Sequence, residues 1–182
     1  GVVLMKNGDI IFNLEYLGLV RMNKYSDVVW KLPYRTHHSV FLDEQEKIWV
    51  CGYKWHKHSL NRFPGIKPPF IEETILKVSM DGNIESEISL LNCVYKSNLY
   101  PGLFCGEPAV TSRTISGDLL HLNEVEVLSE KKAASFDNLE AGDIMASCRF
   151  INTVFILDGN SKEIKSAISN LFIGPHDPDF SN

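Results

Sequence analysis

A polar tight turn that feeds an apolar strand recurs along this chain, and it limits the fold more than any other feature. It appears as MKNGDIIF from Met5 to Phe12, LDEQEKIWV from Leu42 to Val50 and SMDGNIES from Ser79 to Ser86. It returns as EAGDIMAS from Glu140 to Ser147 and LDGNSKEIKS from Leu157 to Ser166. Three copies carry an Asn-Gly or Asp-Gly pair, which suits the positive backbone angles of a tight hairpin turn, and all five read as a polar turn entering an apolar strand. The pattern predicts strands over Val2–Met5, Ile10–Phe12, Leu17–Met22, Val28–Leu32, His38–Leu42, Ile48–Tyr53, Thr74–Met80 and Asn83–Ile88. Short strands with regular turns and internal self-similarity belong to a sandwich, a barrel or a propeller. The proline-rich stretch Phe63–Phe70 is expected to be a loop. Leu90, Leu91, Val94, Tyr95 and Leu99 fall at helical spacing, which predicts a helical insertion over 89–104 that Pro101 and Gly102 break. Glu130–Phe136 is long enough for about two helical turns.

Bulk properties exclude several classes of function. With 182 residues, 44% of them apolar and 23% charged, the chain can bury the core of one ordinary domain. Its formal charge of -5 and the lack of a lysine or arginine run argue against a nucleic-acid partner. No apolar stretch approaches the ~20 residues of a membrane span. Gly1 falls inside a strand pattern and no signal peptide is visible, so we read the chain as a piece of a longer protein. The four cysteines form no C-x-x-C pair, which leaves no zinc signature. Cys51 and Cys148 read as small buried hydrophobes, and Cys93 with Cys105 is a possible disulfide in an oxidising compartment. No G-x-S-x-G elbow and no glycine-rich phosphate loop occurs.

Polar groups stand where strands begin: His37 and His38, His121 with Asn123, and His176 in GPHDPDF, while Arg149 closes a strand. These places take four of the 6 histidines. A repeated β unit with a polar group at one position in each copy can aim those groups at one axis. Each residue alone also has a plain structural reading. His37 and His38 are expected on opposite faces of a strand, with His38 the one that faces inward. His121 and Asn123, two apart, are expected on one face, where they could hold an oxyanion or merely bond each other. Arg149 offers a bidentate fork to a sulfate, phosphate or carboxylate, or is a surface residue. His176 is either presented rigidly by its flanking prolines or is a loop histidine bonded to Asp177. His56 and His58 lack a third metal ligand and read as a solvated loop near the mouth of a site. Glu124, Glu126, Asp143 and Asp158 are expected in turns or on outer faces.

The motifs THHSV, DEQEKIWV, DLLHLNEVEVL, GDIMASCRFINTVFILD and GPHDPDF, in that order, resemble the bacterial arylsulfotransferase (aryl-sulfate sulfotransferase) family. The resemblance implies a six-bladed β-propeller, of which this chain would hold about three to four blades. It implies sulfuryl transfer from an aryl sulfate donor to a phenolic acceptor, without a nucleotide sulfate donor and with no cofactor or metal. The reaction would be ping-pong through a sulfated histidine. On that resemblance His176 is the nucleophile, and His38 and His121 exchange protons with the phenols. Arg149 and Asn123, with His37, would bind substrate. The family also implies export to the periplasm or an anchor facing it. Two readings compete with this one: a propeller that binds an anionic or aromatic ligand without catalysis, and an enzyme of the same fold acting on another anionic ester.

Overall fold

The computed structural model describes residues 1–99, 103 and 115–181. It is mainly β, and three antiparallel sheets follow one another along the chain, none of them closed on itself. The first comprises β1 (Val2–Leu4), β2 (Ile10–Leu14), β3 (Gly18–Met22) and β4 (Val28–Leu32) in sequential order. The second comprises β5 (Thr36–Leu42), β6 (Ile48–His56), β7 (Ile66–Val78) and β8 (Ile84–Ser89). The helix α1 (Leu90–Lys96) follows, and β9 (Ile115–Gly117) adds to β7 in parallel. The third sheet comprises β10 (Leu122–Val127), β11 (Ile144–Cys148), β12 (Thr153–Leu157) and β13 (Ile164–Ser169), with α2 (Glu130–Ala133) between its first two strands.

Strand alternation explains how the middle sheet joins its neighbours. Successive side chains of a strand point to opposite faces. Ile48 and Val50 of β6 pack with Ile11 and Leu19 of the first sheet, whereas Trp49 and Cys51 pack with Val125, Ala146 and Phe155 of the third. A strand buried on both faces reads as a continuous apolar run, which Ile48–Cys51 is. Polar ties reinforce the contacts. Trp30 Nε1 and Arg21 both donate to the Met80 carbonyl, at 2.8 and 2.9 Å, so the first sheet grips the β7–β8 turn of the second. That turn needs Gly82, at φ +81°, because a Cβ there would meet the Trp30 ring at 2.8 Å. On the other side the Val125 amide donates to Ser39 Oγ at 3.0 Å in a buried contact.

Several expectations change. The proline-rich segment is not a loop throughout, because β7 starts at Ile66 and runs through Pro68 and Pro69 to Val78. Ile66 and Phe70 are buried in the core, and that burial holds the segment extended. The helical insertion is shorter than its spacing predicts. Ser89 Oγ caps α1 by accepting the Asn92 amide at 3.1 Å, and the helix ends at Lys96 with Ser97 as its C-cap, two residues before the described segment stops at 99. Likewise α2 is a single turn. Glu126 and Asp143 are not outer-face residues. Both are buried, Glu126 against Lys132 at 3.0 Å and Asp143 against Lys165 at 2.9 Å. Cys51 and Cys148 are buried as expected. Cys93 is a free thiol that donates to the Lys162 carbonyl at 3.2 Å, and Cys105 lies outside the described residues.

Candidate functional site

Three chain segments bring their histidines together. At the start of β5 the pairing His37↔Cys51 is followed by Val40↔Val50, so His38 and Ser39 bulge out of the ladder. His38 takes a left-handed backbone angle, φ 51°, and its amide donates to the Glu15 carboxylate at 3.1 Å. The start of β10 repeats this construction. His121 has φ 54°, and the register slips between Leu122 and Glu124. The third segment is the turn Gly174–Pro178, in which Asp177 has φ 50°. A left-handed angle at a residue other than glycine costs of order 1–3 kcal/mol, so the surrounding contacts must hold these backbones in place.

Those contacts are visible. Asp118 receives the His121 amide at 3.0 Å on one carboxylate oxygen and His121 Nδ1 at 2.6 Å on the other. Asn123 Nδ2 donates to the Pro175 carbonyl at 3.1 Å, and the Gly174 amide donates to Asn152 Oδ1 at 2.8 Å. Beyond the turn, the Phe180 amide donates to Glu126 at 2.9 Å and the Phe180 ring enters a cluster with Leu128, Met145 and Val154. The turn that carries His176 is therefore fastened on both sides.

The rings then meet. His38 Nε2 lies 3.3 Å from His121 Nε2. The His38 ring centre is 5.9 Å from that of His176, and Phe150 stacks on His121 at 4.6 Å. His176 bonds Asp177 through Nδ1 at 3.0 Å, and its side chain is 52% exposed. Arg149 is exposed, with its amide on the His121 carbonyl at 3.0 Å and its stem against Gly174.

His37 departs from the alternation rule. The bulge at His38 breaks the two-residue period, and the rings of His37 and His38 end edge to face, 5.1 Å apart. His37 is buried, with Nε2 on Glu73 Oε2 at 3.0 Å. Glu73 Oε1 accepts the Leu122 amide at 3.3 Å, so one buried carboxylate ties the residue before His38 to the residue after His121. The pairing of His121 with Asn123 on one face is also interrupted by a bulge. Asn123 is buried and turned to Pro175, and its Oδ1 has no partner among the described residues. His56 does not lie in a solvated loop. It ends β6 with Nε2 on Glu72 at 2.7 Å, and the same carboxylate oxygen receives Arg62 at 2.5 Å. Among the described residues no group of three or more metal-binding side chains is assembled.

Electrostatics separate the members of the cluster. Burial, helped by the neighbouring His37, pushes the His38 imidazole down to about 4, so it is neutral at pH 7. Burial also opposes charge on His37, but the hydrogen bond and charge of Glu73 outweigh it and raise that imidazole above its ordinary value. Burial pushes Glu124 up to about 7, with the nearby Asp177 carboxylate adding to the shift. The bond from His176 holds Asp177 below the usual carboxylate range. Asp118, Glu73, Glu15 and Phe150 are the participants that sequence reasoning missed. Asp118 alone had a local signal, since an Asp three residues before a histidine can cap that turn.

A model of the arylsulfotransferase (ASST) family matches residues 1–182, the whole chain. The chain belongs to the arylsulfotransferase family. No curated protein matches this arylsulfotransferase chain. One similar solved structure is a crystal structure at 1.35 Å of a protein of unknown function from Bacteroides caccae. It shares 10% identity at a TM-score of 0.40 over 92% of this chain. The chain spans 44% of the length of that protein.

Proposed function

We propose that the chain is three blades of a β-propeller and carries the reacting end of an aryl-sulfate sulfotransferase. What supports the reading is the meeting of His38, His121 and His176 from separate segments in a chain of this family. Sulfuryl transfer resembles phosphoryl transfer: little covalent chemistry is left to the protein, so positioning and charge stabilisation dominate.

Each residue then has a task. Asp177 holds His176 by Nδ1, which leaves the Nε2 lone pair as the nucleophile. Nε2 attacks the sulfur of the aryl sulfate, an N–S bond forms, and the S–O bond to the aryl group breaks. The bonding electrons leave on the phenolate. Asp118 accepts from His121 Nδ1–H, and His121 enters the step doubly protonated, so that the proton on Nε2 meets the phenolate and leaves a neutral ring still bonded to Asp118. In the resting site that Nε2–H rests on the lone pair of His38, which is neutral because its pKa is depressed to about 4. In the second half-reaction a phenol returns its proton to His121 and attacks the sulfur, and the N–S electrons go back to His176. Arg149 supplies charge to the sulfuryl oxygens. Asn123 serves this scheme through the turn it holds, and His37 through its bond to Glu73.

The test is a burst assay of the intact protein with a chromogenic aryl sulfate, first without and then with a phenol. A burst equal to the enzyme, followed by turnover only on adding phenol, is expected. A His176→Asn variant that retains the burst would remove His176 as nucleophile. Tight aryl-sulfate binding with neither burst nor turnover would favour the non-catalytic reading.

A further inference from the structure

The chain is acidic overall, yet one surface beside the histidine cluster is basic. The β6–β7 hairpin extends past the start of β5, since Thr36 pairs with Gly52 while β6 continues to His56. Arg35, Tyr53, Lys54, Trp55, Lys57 and His58 line an open cleft of about 580 Å³ on this extension. Lys54 is committed to Glu87, and His56 in the same wall to Glu72. Arg35, Lys57 and His58 have no carboxylate partner among the described residues. In a chain of formal charge -5, two lysine and arginine charges left unpaired in one cleft form a local anion-attracting field.

Two aromatic rings share the cleft. Trp55 is 41% exposed, and the Arg35 guanidinium lies over the Tyr53 ring at 5.7 Å. Through His37, whose ring is 5.1 Å from that of His38, Tyr53 joins the cleft to the cluster. The Tyr53 ring is 5.6 Å from that of His37 and 6.0 Å from that of Tyr16. A molecule whose phenolic end lies at the histidines can therefore run past Tyr53 into the cleft. A strand rises about 3.3 Å per residue, so His56, which ends β6, is roughly 10 Å beyond Tyr53, and Lys57 follows it in the bend.

From this we propose that the cleft binds the far, anionic end of an extended aromatic substrate, a phenol or aryl sulfate of about two rings that carries a carboxylate or second sulfate. The inference rests on the sulfuryl-transfer reading for its chemistry and on the cleft for its specificity. Steering by exposed charge works over about 10 Å at 0.1 M salt, which makes the preference salt-dependent.

The experiment compares 4'-hydroxybiphenyl-4-carboxylate with uncharged 4-hydroxybiphenyl as acceptors for the intact protein. It is run with the wild type and with an Arg35→Ala/Lys57→Ala double variant. The expected result is a kcat/KM ratio that favours the carboxylate, falls about ten-fold in the double variant, and shrinks as salt rises. Direct titration of the carboxylate, read by heat or by NMR line shifts, is the second arm and needs no turnover. Turnover of both acceptors with no preference, or an equal loss of both in the double variant, would overturn the cleft and leave the reaction standing. No sulfuryl transfer, but carboxylate binding weakened by the double variant and by salt, would overturn the reaction and keep the cleft. No binding of the carboxylate in the titration would overturn the cleft.

Discussion

The Nε2 atoms of His38 and His121 face each other at 3.3 Å across the boundary between the second and third sheets. One proton serves the pair, and Asp118 decides where it sits by holding His121 Nδ1 at 2.6 Å. Asp118→Asn keeps the size of the side chain but sets a donor amide against His121 Nδ1–H and removes the carboxylate charge that balances the doubly protonated ring. Turnover of aryl sulfate should fall roughly 10²–10⁴-fold with little change in KM. Steady-state kinetics of the intact protein check this, and wild-type turnover would remove Asp118 from the proton path.

Glu73 should matter more for stability than any exposed acid. It is buried and serves both His37 and the Leu122 amide. Glu73→Ala leaves those groups buried without a partner and should cost about 3–5 kcal/mol, read from urea unfolding. Glu73→Gln keeps one acceptor and should lose less. A loss below 1 kcal/mol in Glu73→Ala would mean that water replaces the carboxylate.

Glu124 predicts a pH dependence of stability. Its pKa is raised to about 7, above its ordinary carboxylate value, so the folded protein binds a proton there that the unfolded chain has released. The stability this contributes is present below the ordinary value and is lost as pH rises through about 7. His38 acts in the opposite sense. Its value is depressed to about 4, so its contribution is present above the ordinary imidazole value and is lost as pH falls through about 4. Glu124→Gln should therefore raise the melting temperature relative to wild type more at pH 8 than at pH 5. An offset that is the same at both pH values would refute the assignment.

Asn123 should control the turn that carries His176. Asn123→Ala removes the bond to the Pro175 carbonyl and should cost about 1–2 kcal/mol. Faster hydrogen exchange at the Gly174 amide is expected with it. Asn123→Asp sets a carboxylate against that carbonyl and should be worse than alanine on both measures.

What could be read from the sequence was local. Asn7-Gly8 and Asp81-Gly82 announce their hairpins because a positive backbone angle needs those residue types. The alternating and continuous apolar runs, such as Ile48–Cys51, announce their strands. The histidines were visible as polar groups at strand starts. Their orientation was not, because a bulge leaves no mark in a single sequence and reverses every face assignment made across it. Glu73 was invisible for another reason. It meets His37 from 36 positions away and Leu122 from 49, and no local pattern encodes such a meeting. The proline-rich stretch misled because Pro68 and Pro69 signal a loop, whereas the burial of Ile66 and Phe70 that extends it depends on distant partners.

The three clustered rings come from the start of the second sheet, the start of the third and the turn beyond it. No segment owns the cluster, so it cannot survive on a detached piece. Loss of the His38–His121 contact would then be an early alarm for slippage between neighbouring sheets, audible in the imidazole spectra while each sheet still keeps its own ladder intact.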